Sequence, residues 1–278
     1  MTLDRSTRWA RWLEAGAAPD LATPGLVALD IDGTLVGFDG SLSPAVADAV
    51  RRTAAGTHVV VATGRAMLGT LPVCDALGLR SGWAVCSNGA VTVDLASRRP
   101  VDVVTFDATA SVRYFAEQVP DALLAVEELG VGYRVTGEFP VGELDGRITV
   151  VPHEELLVGP ASRLIARWPE ADREEFFALA RAAGLHGVSY AIGYDAWIDF
   201  MPAGVSKASG LEAVRARLGV PPSATLAVGD GYNDLEMLAW AGVGVAMGQA
   251  PTEVTDAADL VAPAVEDDGL AAVLGHWW

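Results

Sequence analysis

Two apolar runs near the start of the chain alternate with polar, turn-forming segments. Residues 26–31 and 58–62 are short and mostly apolar, as in strands that are buried on both faces of a parallel sheet. Between them, Ser43 and Pro44 are favourable residues for the start of a helix, and Gly56 is favourable for its end. Strand, helix and strand in this order predict a right-handed βαβ unit in a doubly wound sheet.

The hydrophobic pattern changes after residue 89 and resumes after residue 202. The middle of the chain mixes β-like runs at 101–106, 123–127, 133–135 and 162–168 with helical stretches near 110–118 and 170–183. The last part returns to a helix after Lys207, strands at 225–228 and 242–246, and a helix near 269–274. We therefore predict an α/β fold with a doubly wound, Rossmann-like parallel sheet core at 25–89 and 203–278, and an α+β domain inserted at 90–202.

Residues 1–24 precede this pattern and form an appendage to the core. Trp9, Trp12 and Leu13 lie at helical spacing and are followed by prolines, which predicts a short amphipathic helix and a linker. Charged residues interrupt the segment, so it lacks the apolar stretch of a signal peptide. The longest apolar stretch, 238–248, is too short to cross a bilayer. We therefore expect a cytoplasmic protein with no membrane partner.

The net charge of the chain disfavours polyanionic binding partners. The 278 residues include 36 Asp and Glu against 19 Lys and Arg, for a formal net charge of −17, so the surface repels polyanions such as nucleic acid. A small phosphate ester remains compatible, because a divalent cation and a local base reverse the field within a cleft. Cys74 and Cys86 are too few for a disulfide-based fold, and we expect reduced thiols.

A pair of carboxylates, Asp30 and Asp32, follows the first apolar run and precedes Gly33. A glycine turn lets both side chains leave the edge of the sheet together. Close like charges resist joint ionisation unless a cation or a proton lies between them, so the pair indicates a metal site or an acid/base couple. The alternative is a solvated turn rich in aspartate, which the motif by itself does not exclude.

Two further segments are suited to bind an anion. Thr63, Gly64 and Arg65 follow the second apolar run, where a hydroxyl and backbone N–H groups at a strand-to-helix junction suit a phosphate oxygen. Lys207 opens the helix after the inserted region, where an ammonium group neutralises a phosphoryl group and the nucleophile beside it. An ordinary threonine N-cap and a solvated lysine also explain these segments when each is taken alone.

A fourth segment follows the strand predicted at 225–228. It offers Asp230 and Asp234 as hard oxygen ligands, or as acceptors that support such ligands, with Asn233 between them. A helix start capped by Asn233, with acids near its N-terminus, is the alternative. Four such segments in this order, three of them directly after apolar runs, are hard to obtain by chance.

Together these segments resemble a known family. The chain is similar to the haloacid dehalogenase superfamily, and the resemblance covers the core from residue 25 to the C-terminus. It rests on Asp30-Ile31-Asp32-Gly33-Thr34, Thr63-Gly64-Arg65, Lys207 and Gly229-Asp230-Gly231-Tyr232-Asn233-Asp234, which look like motifs one to four, and on Ser87-Asn88-Gly89-Ala90 and Ala246-Met247-Gly248-Gln249-Ala250, which look like the Cof-type branch. The short distance from Asp32 to Thr63 and the long stretch 90–202 then imply a C2-type cap domain.

The resemblance implies a magnesium-dependent phosphatase that acts on a small phosphate monoester. Asp30 would attack phosphorus to give an aspartyl phosphate, and Asp32 would protonate the leaving oxygen and later deprotonate water. Mg²⁺ would lie between Asp30, the backbone carbonyl of Asp32 and Asp230, where it would offset the charge of the ester.

The resemblance also assigns supporting residues. Thr63, Gly64, Lys207 and Asn233 would hold the phosphoryl oxygens, and Asp234 would support Lys207 or metal-bound water instead of binding the metal. A sugar phosphate is the substrate class that the resemblance favours, with phosphorylated cofactors next. A phosphomutase and a non-catalytic binding module that kept the fold are the alternatives, although both acids of the first motif are intact, which argues against the second.

Overall fold

The structure of the protein, a computed structural model, describes residues 23–169, 172, 176, 178, 188–192 and 196–278. The helix expected within residues 1–24 and most of the helix expected at 170–183 lie outside them. The strands of the described part are β1 (Leu26–Leu29), β2 (His58–Ala62), β3 (Trp83–Cys86), β4 (Val91–Asp94), β5 (Arg99–Val103), β6 (Leu123–Glu128), β7 (Gly132–Val135), β8 (Arg147–Val150), β9 (Leu164–Arg167), β10 (Val188–Ile192), β11 (Trp197–Pro202), β12 (Thr225–Gly229), β13 (Val243–Ala246) and β14 (Leu260–Val261). Its α-helices are α1 (Pro44–Gly56), α2 (Met67–Leu77), α3 (Thr109–Gln118), α4 (Lys207–Leu218), α5 (Leu235–Trp240), α6 (Thr252–Ala257) and α7 (Gly269–Leu274).

Eight of these strands form the core sheet, in the order β14-β13-β12-β1-β2-β3-β4-β5. Strand β1 is central, pairs in parallel with β2 and β12, and has all four of its side chains buried. A strand that is flanked on both sides and covered on both faces needs a continuous apolar run, which is why residues 26–29 are Leu-Val-Ala-Leu. The predicted α/β fold with a doubly wound, parallel sheet core is confirmed, and the pairs of β3 with β4 and β4 with β5 add an antiparallel edge to it.

Helix α1 connects β1 to β2 and is bounded by the residues expected from the sequence. The backbone N–H of Ala45 donates to Ser43 Oγ over 3.2 Å, so the serine caps the helix, and Pro44 is its first residue. Its apolar face, which includes Val46 and Val50, is buried in the core. Because β1 and β2 are parallel neighbours, their carboxyl ends lie at one edge of the sheet.

A second sheet of six strands, in the order β10-β11-β9-β6-β7-β8, belongs to the inserted cap domain. Its strand pairs are antiparallel except for β7 with β8. Phe115 of α3 packs edge-on to Phe200 of β11 with ring centroids 5.6 Å apart, and Phe176 lies 6.1 Å from the same ring. These rings belong to a hydrophobic cluster distinct from those of the core sheet, so the cap has its own core.

The structure differs from the predicted domain boundary at residue 90. Strands β4 and β5 continue the core sheet as an antiparallel extension, with Val91 opposite Cys86, and the cap sheet starts only at β6. Residues 91–93 are all buried, a pattern that a strand shows in either sheet, so hydrophobicity does not tell which sheet it joins. Strands β8, β10 and β11 have no counterpart in the predicted pattern.

The turn between β3 and β4 lies against the segment at which the chain rejoins the core after β11. Ser87, Asn88 and Gly89 have backbone φ angles of 50°, 51° and 103°, all in the left-handed region. A side chain at Gly89 would collide with the backbone of Ser206, so the close approach of the turn to the returning chain requires glycine. The backbone N–H of Asn88 donates to the Thr63 carbonyl over 3.0 Å. The return link from the cap therefore packs on a core turn that is itself held beside the turn following β2.

Candidate active site

The ends of two central strands bring carboxylates together. Asp30 follows β1 and Asp230 follows β12, and these strands are parallel neighbours with Leu29 opposite Val228. Oxygens of Asp30, Asp230 and Asp234 lie within 4.8 Å of one another, and all three residues are buried. We call these three residues the acidic cluster. Like charges buried this closely require a cation or a proton nearby.

Lys207, the only lysine in the sequence, lies within the acidic cluster. Its fully buried Nζ donates to Asp30 Oδ1 over 2.6 Å and to Asp234 Oδ1 over 2.7 Å. The second oxygen of Asp234 accepts the backbone N–H groups of Asp230 at 3.0 Å and Gly231 at 2.9 Å. Both oxygens of Asp234 are thus bound to protein donors.

The charge balance of the acidic cluster favours a divalent cation. Burial, followed by Asp234, raises the pKa of Asp30 well above its usual value, although Lys207 acts in the opposite direction. Burial alone would lower the pKa of Lys207, but Asp234 and Asp30 outweigh it and raise that pKa. Three carboxylates beside one ammonium group carry an excess of negative charge, and carboxylate oxygens are ligands that Mg²⁺ prefers. The residues present therefore fit a magnesium ion.

Gly33 allows the first motif to approach this cluster closely. Its φ of 79° is in the left-handed region, and a side chain at this position would collide with the carboxylate of Asp230. Gln249 Nε2 donates to the Gly33 carbonyl over 2.6 Å and lies 3.4 Å from Asp230 Oδ2. The turn after β1 is thereby fixed against the end of β12.

Asp32 lies apart from the acidic cluster, on the open side of the site. Its side chain is 55% exposed and forms a bidentate ion pair with Arg65, whose Nε donates to Oδ2 over 2.9 Å and whose Nη2 donates to Oδ1. The sequence motif contained Arg65, but only Thr63 and Gly64 were expected to act. The structure adds Arg65 as the residue that holds the carboxylate of Asp32.

The residues expected to bind phosphoryl oxygens divide into two groups. On its core side, the cleft beside the acidic cluster is lined by Asp30, Asp32, Gly64, Arg65, Asp230 and Asn233, among others. Thr63 and Lys207 are fully buried behind this surface, and the Thr63 hydroxyl accepts the backbone N–H of Arg65 over 3.1 Å. The expected residues therefore meet at one edge of the core sheet, with Lys207 connected to the cleft through Asp30.

The cleft has a volume of about 240 Å³ and separates the ends of the core strands from the cap domain. The cap domain lines it with Tyr133, Glu143, Asp145, Arg163, Trp197 and Asp199. These residues come from several segments, and none belongs to a motif of fixed spacing. No signal in the sequence identified them, although they form the wall that faces the predicted catalytic residues.

Arg163 connects the cap domain to the core. Its buried side chain donates from Nη1 to the carbonyl of Gly64 and from Nη2 to the hydroxyl of Tyr133. Two carboxylates lie close to the guanidinium, Glu127 at 3.9 Å and Asp199 at 3.8 Å. Burial alone would lower the pKa of Arg163, but Tyr133 and the two acids outweigh it. A charged group of the cap is therefore fixed on the loop expected to bind phosphate.

Comparisons with known proteins agree with this geometry. Residues 27–127 and 170–274 match the family model of haloacid dehalogenase-like hydrolases. A phosphoglycolate phosphatase from Natronomonas pharaonis is 32% identical over 256 residues, which cover 89% of this chain and 95% of that protein. A putative phosphatase from Bacillus subtilis is 29% identical over 88% of this chain and 95% of its own length.

Solved structures share the same arrangement of core and cap. The phosphatase BT1666 from Bacteroides thetaiotaomicron has a TM-score of 0.76 at 29% identity, covering 95% of this chain and 98% of its own. A sugar phosphatase of subclass IIB in the haloacid dehalogenase superfamily has a TM-score of 0.79, covering 91% and 98%, and its 22% identity supports the fold alone. Every helix among the described residues is too short or too polar to span a membrane.

Proposed function

The chain belongs to the haloacid dehalogenase-like hydrolases, and from this premise we propose that it hydrolyses a small phosphate monoester through a phosphoryl group carried by Asp30. The environment of Asp30 carries the proposal: Lys207 holds one of its oxygens, while the residue lines the cleft. A carboxylate fixed in this way keeps one orientation, which leaves the other oxygen to attack a bound ester.

The proposed reaction consists of two displacements at phosphorus. In the first, an oxygen of Asp30 bonds to phosphorus while the bond to the leaving oxygen breaks, and Asp32 gives that oxygen a proton. In the second, Asp32 takes a proton from a water molecule as its oxygen bonds to phosphorus and the bond to Asp30 breaks, which releases inorganic phosphate. Arg65 holds the ionised carboxylate of Asp32 on the open side of the site, where a leaving group and water have access. This ion pair has to open, and Asp32 has to take up a proton, before the first displacement.

Other residues expected from the sequence support this reaction. Lys207 offsets the charge of the nucleophile and is itself fixed by Asp234. The amide of Asn233, the backbone of Gly64 and the hydroxyl of Thr63 supply hydrogen-bond donors to the phosphoryl oxygens. Because both oxygens of Asp234 already bind protein donors, we assign it to the support of Lys207 and not to a metal.

Magnesium is the cofactor that we propose for this site. Its ligands would be Asp30, Asp230 and the backbone carbonyl of Asp32. When bound, the ion supplies positive charge that offsets the repulsion between the carboxylates and an anionic ester. Lys207 and the turn at Gly33 hold the two carboxylates in place, so the ligand oxygens are positioned before the ion binds.

For the leaving group we propose an uncharged, hydroxylated group such as a sugar. The cap wall carries Asp145, whose oxygens accept hydrogen bonds from hydroxyl groups, and Trp197, whose ring suits the apolar face of a sugar. Glu143, on the same wall, is paired with Arg167 over 3.1 Å. Arg163, on the same wall, already donates to Gly64 and lies between two carboxylates. A leaving group with its own carboxylate, as in phosphoglycolate, would meet excess negative charge and be repelled.

Phosphate release from a panel of esters tests the proposal. The panel contains sugar phosphates, phosphoglycolate, pyridoxal phosphate, flavin mononucleotide and p-nitrophenyl phosphate, each with Mg²⁺, with Ca²⁺ and with a chelator. We expect hydrolysis with Mg²⁺ and the highest kcat/KM for a sugar phosphate. Ca²⁺ should support little activity, because its longer bonds and larger ligand number misplace the nucleophile. Full activity in the chelator would exclude the metal, and no hydrolysis of any ester would contradict the proposed reaction.

A further inference from the structure

Asn88 occupies the junction between the two domains and does not line the cleft. It is 2% exposed and has a φ of 51°, a left-handed conformation that asparagine tolerates better than most residues. Its side chain bridges two residues that do line the cleft, Asp199 of the cap and Asn233 of the core. Asn88 therefore connects the two walls of the cleft from behind.

The hydrogen bonds of this bridge run in one direction. The amide nitrogen of Asn88 donates to Asp199 Oδ2 over 2.8 Å, and the amide nitrogen of Asn233 donates to Asn88 Oδ1 over 3.0 Å. An ionised carboxylate only accepts hydrogen bonds, so Asp199 fixes which end of the Asn88 amide faces it. The oxygen of Asn88 then faces Asn233 and selects its nitrogen. Because an amide nitrogen has two hydrogens, Asn233 keeps a second donor for an anion.

The surroundings of Asp199 support the ionised form that this arrangement needs. Its Oδ1 accepts Trp197 Nε1 over 3.0 Å, and Arg163 lies 3.8 Å from Oδ2. Burial raises the pKa of Asp199 above its usual value, and Arg163 with the hydrogen bonds from Trp197 and Asn88 offsets only part of this rise, so the geometry of the carboxylate carries the assignment. Each oxygen of the carboxylate accepts an N–H group, which is the pattern of an ionised acid.

We propose that Asp199 is a positioning residue for phosphate binding: through Asn88 it orients the Asn233 amide so that nitrogen, not oxygen, faces the phosphoryl group. An amide turned the other way would present its oxygen to an anion and repel it. The proposal rests on the proposed function in taking Asn233 as a phosphate ligand. The cap then has a role beyond enclosing the substrate, because it sets the orientation of a donor in the core.

Binding of inorganic phosphate to the full-length protein with Mg²⁺, measured by titration calorimetry, isolates this effect because phosphate has no leaving group to contact the cap. Asp199→Asn keeps the shape and removes the fixed acceptor, and we expect about tenfold weaker binding, as for the loss of one hydrogen bond to a charged group. In an Asn233→Ala background the same substitution should change affinity by less than about twofold. Equal losses in both backgrounds, or no loss in either, would overturn the proposal.

Thermal unfolding provides the control for folding. Asp199, Glu127 and Arg163 comprise two carboxylates and one guanidinium, so Asp199→Asn leaves a one-to-one ion pair and should fold. A second test exchanges the two side chains by combining Asp199→Asn with Asn88→Asp. The new amide at position 199 then donates to the new carboxylate at position 88, whose other oxygen accepts from Asn233.

This exchange restores the direction of the hydrogen bonds, so the doubly substituted protein should bind phosphate at least about threefold more tightly than Asp199→Asn alone. A merely structural role predicts that two substitutions at one junction weaken binding further, and that outcome in a folded protein would refute the proposal. The phosphate-binding test and the ester panel can fail independently of each other. Protein that shows the coupling but hydrolyses no ester would refute the hydrolase alone, and a hydrolase whose phosphate affinity ignores Asp199 would refute the positioning role alone.

Discussion

The two walls of the cleft bring their charged residues together in different ways. On the core wall, Asp30 and Asp230 directly follow β1 and β12, so the pairing of two neighbouring strands sets their approach. On the cap side, Asp199 within β11 and Arg163, which directly precedes β9, line the cleft, while Glu127 within β6 lies buried behind them beside Arg163. They meet only because these three strands lie side by side in the cap sheet. A strand-end site is encoded within a few residues, whereas a cross-strand cluster depends on the whole sheet.

The two groups also differ in charge balance. The acidic cluster has three carboxylates to one ammonium group. On the cap side, Glu127 and Asp199 share the guanidinium of Arg163 and accept further hydrogen bonds from Ser87 and Trp197. A buried excess of charge is compatible with a stable fold where a ligand neutralises it. The comparison indicates that the core wall is suited to gain a cation and an anion, while the cap wall is suited to hold its position on the core.

The largest effect is expected for Asp30, the proposed nucleophile on the core wall. Asp30→Asn keeps the size of the side chain and removes its charge, so turnover should fall by about 10⁴-fold or more. Because the pKa of Asp30 is raised in the folded state, its ionised form destabilises the fold once the pH exceeds the ordinary value of 3.8. Near neutral pH and without metal, the variant should therefore unfold at the same temperature as the unmodified protein or higher. Phosphate release and thermal unfolding measure the two effects.

The effect of Mg²⁺ on the unfolding temperature provides a further test of the role of Asp30. The ion should raise the unfolding temperature of the unmodified protein more than that of Asp30→Asn, because the unmodified protein binds it with a full set of carboxylates. A folded variant with nearly unchanged turnover would refute the assignment of the nucleophile. Equal stabilisation of both proteins by Mg²⁺ would place the metal away from Asp30.

The second prediction compares two cations on helix α4. Lys207 is fully buried in the acidic cluster, whereas Arg217 is 40% exposed and pairs with Asp102 at the surface. Lys207→Met leaves buried carboxylates without their cation and should lower the free energy of unfolding by about 3–5 kcal/mol. The control Arg217→Met removes a screened surface pair and should lower it by less than about 1 kcal/mol. Urea denaturation without Mg²⁺ measures the difference.

Activity should show the same contrast between the two cations. The kcat/KM of Lys207→Met should fall by about 100-fold or more, because the charge beside the proposed nucleophile is lost. Arg217→Met should keep the activity of the unmodified protein. Equal losses of stability in the two variants would contradict the description of Lys207 as the cation that balances the acidic cluster.

The core wall could be predicted because its residues follow local signals. Apolar runs located the ends of β1, β2 and β12, and Ser43 with Pro44 located the helix between the first two strands. In a parallel sheet the carboxyl ends of all strands lie at one edge. Asp30 and Asp230 were therefore expected to meet there before their distance was known. Arg65 shows the limit of this reasoning, because its role depends on the position of Asp32, on a different strand end.

The cap wall could not be predicted in the same way. The apolar runs at 123–127, 133–135 and 162–168 correspond to β6, β7 and β9, but they contain no information on strand order or register. Strand register decides that Glu127 and Arg163 face each other, and it is fixed by packing of the whole sheet. Residues 198–202 of β11 are all buried, so the strand has no alternation to reveal it, and Asp199 was missed with it.

The smallest effect is expected on the cap wall, for Asp145. This residue is exposed, lines the cleft, and its carboxylate lies against Gly69 of α2. Asp145→Asn removes one negative charge, so kcat/KM for phosphoglycolate should rise by about threefold, because an exposed charge at this range contributes less than about 1 kcal/mol. Activity on p-nitrophenyl phosphate, which has no carboxylate, should not change. Initial rates with the two esters measure the difference.

Asp121→Asn is the matched control for that substitution. Asp121 is an exposed acid of the cap domain that does not line the cleft, and its replacement changes the net charge of −17 by the same amount. A gain with phosphoglycolate shared by both variants would come from the overall field of the protein and not from the cap wall. Added salt should remove the difference between Asp145→Asn and the unmodified protein, since screening weakens an exposed charge, whereas a lost hydrogen bond would persist. A gain for sugar phosphates instead of phosphoglycolate would contradict the proposal that this wall selects against anionic leaving groups.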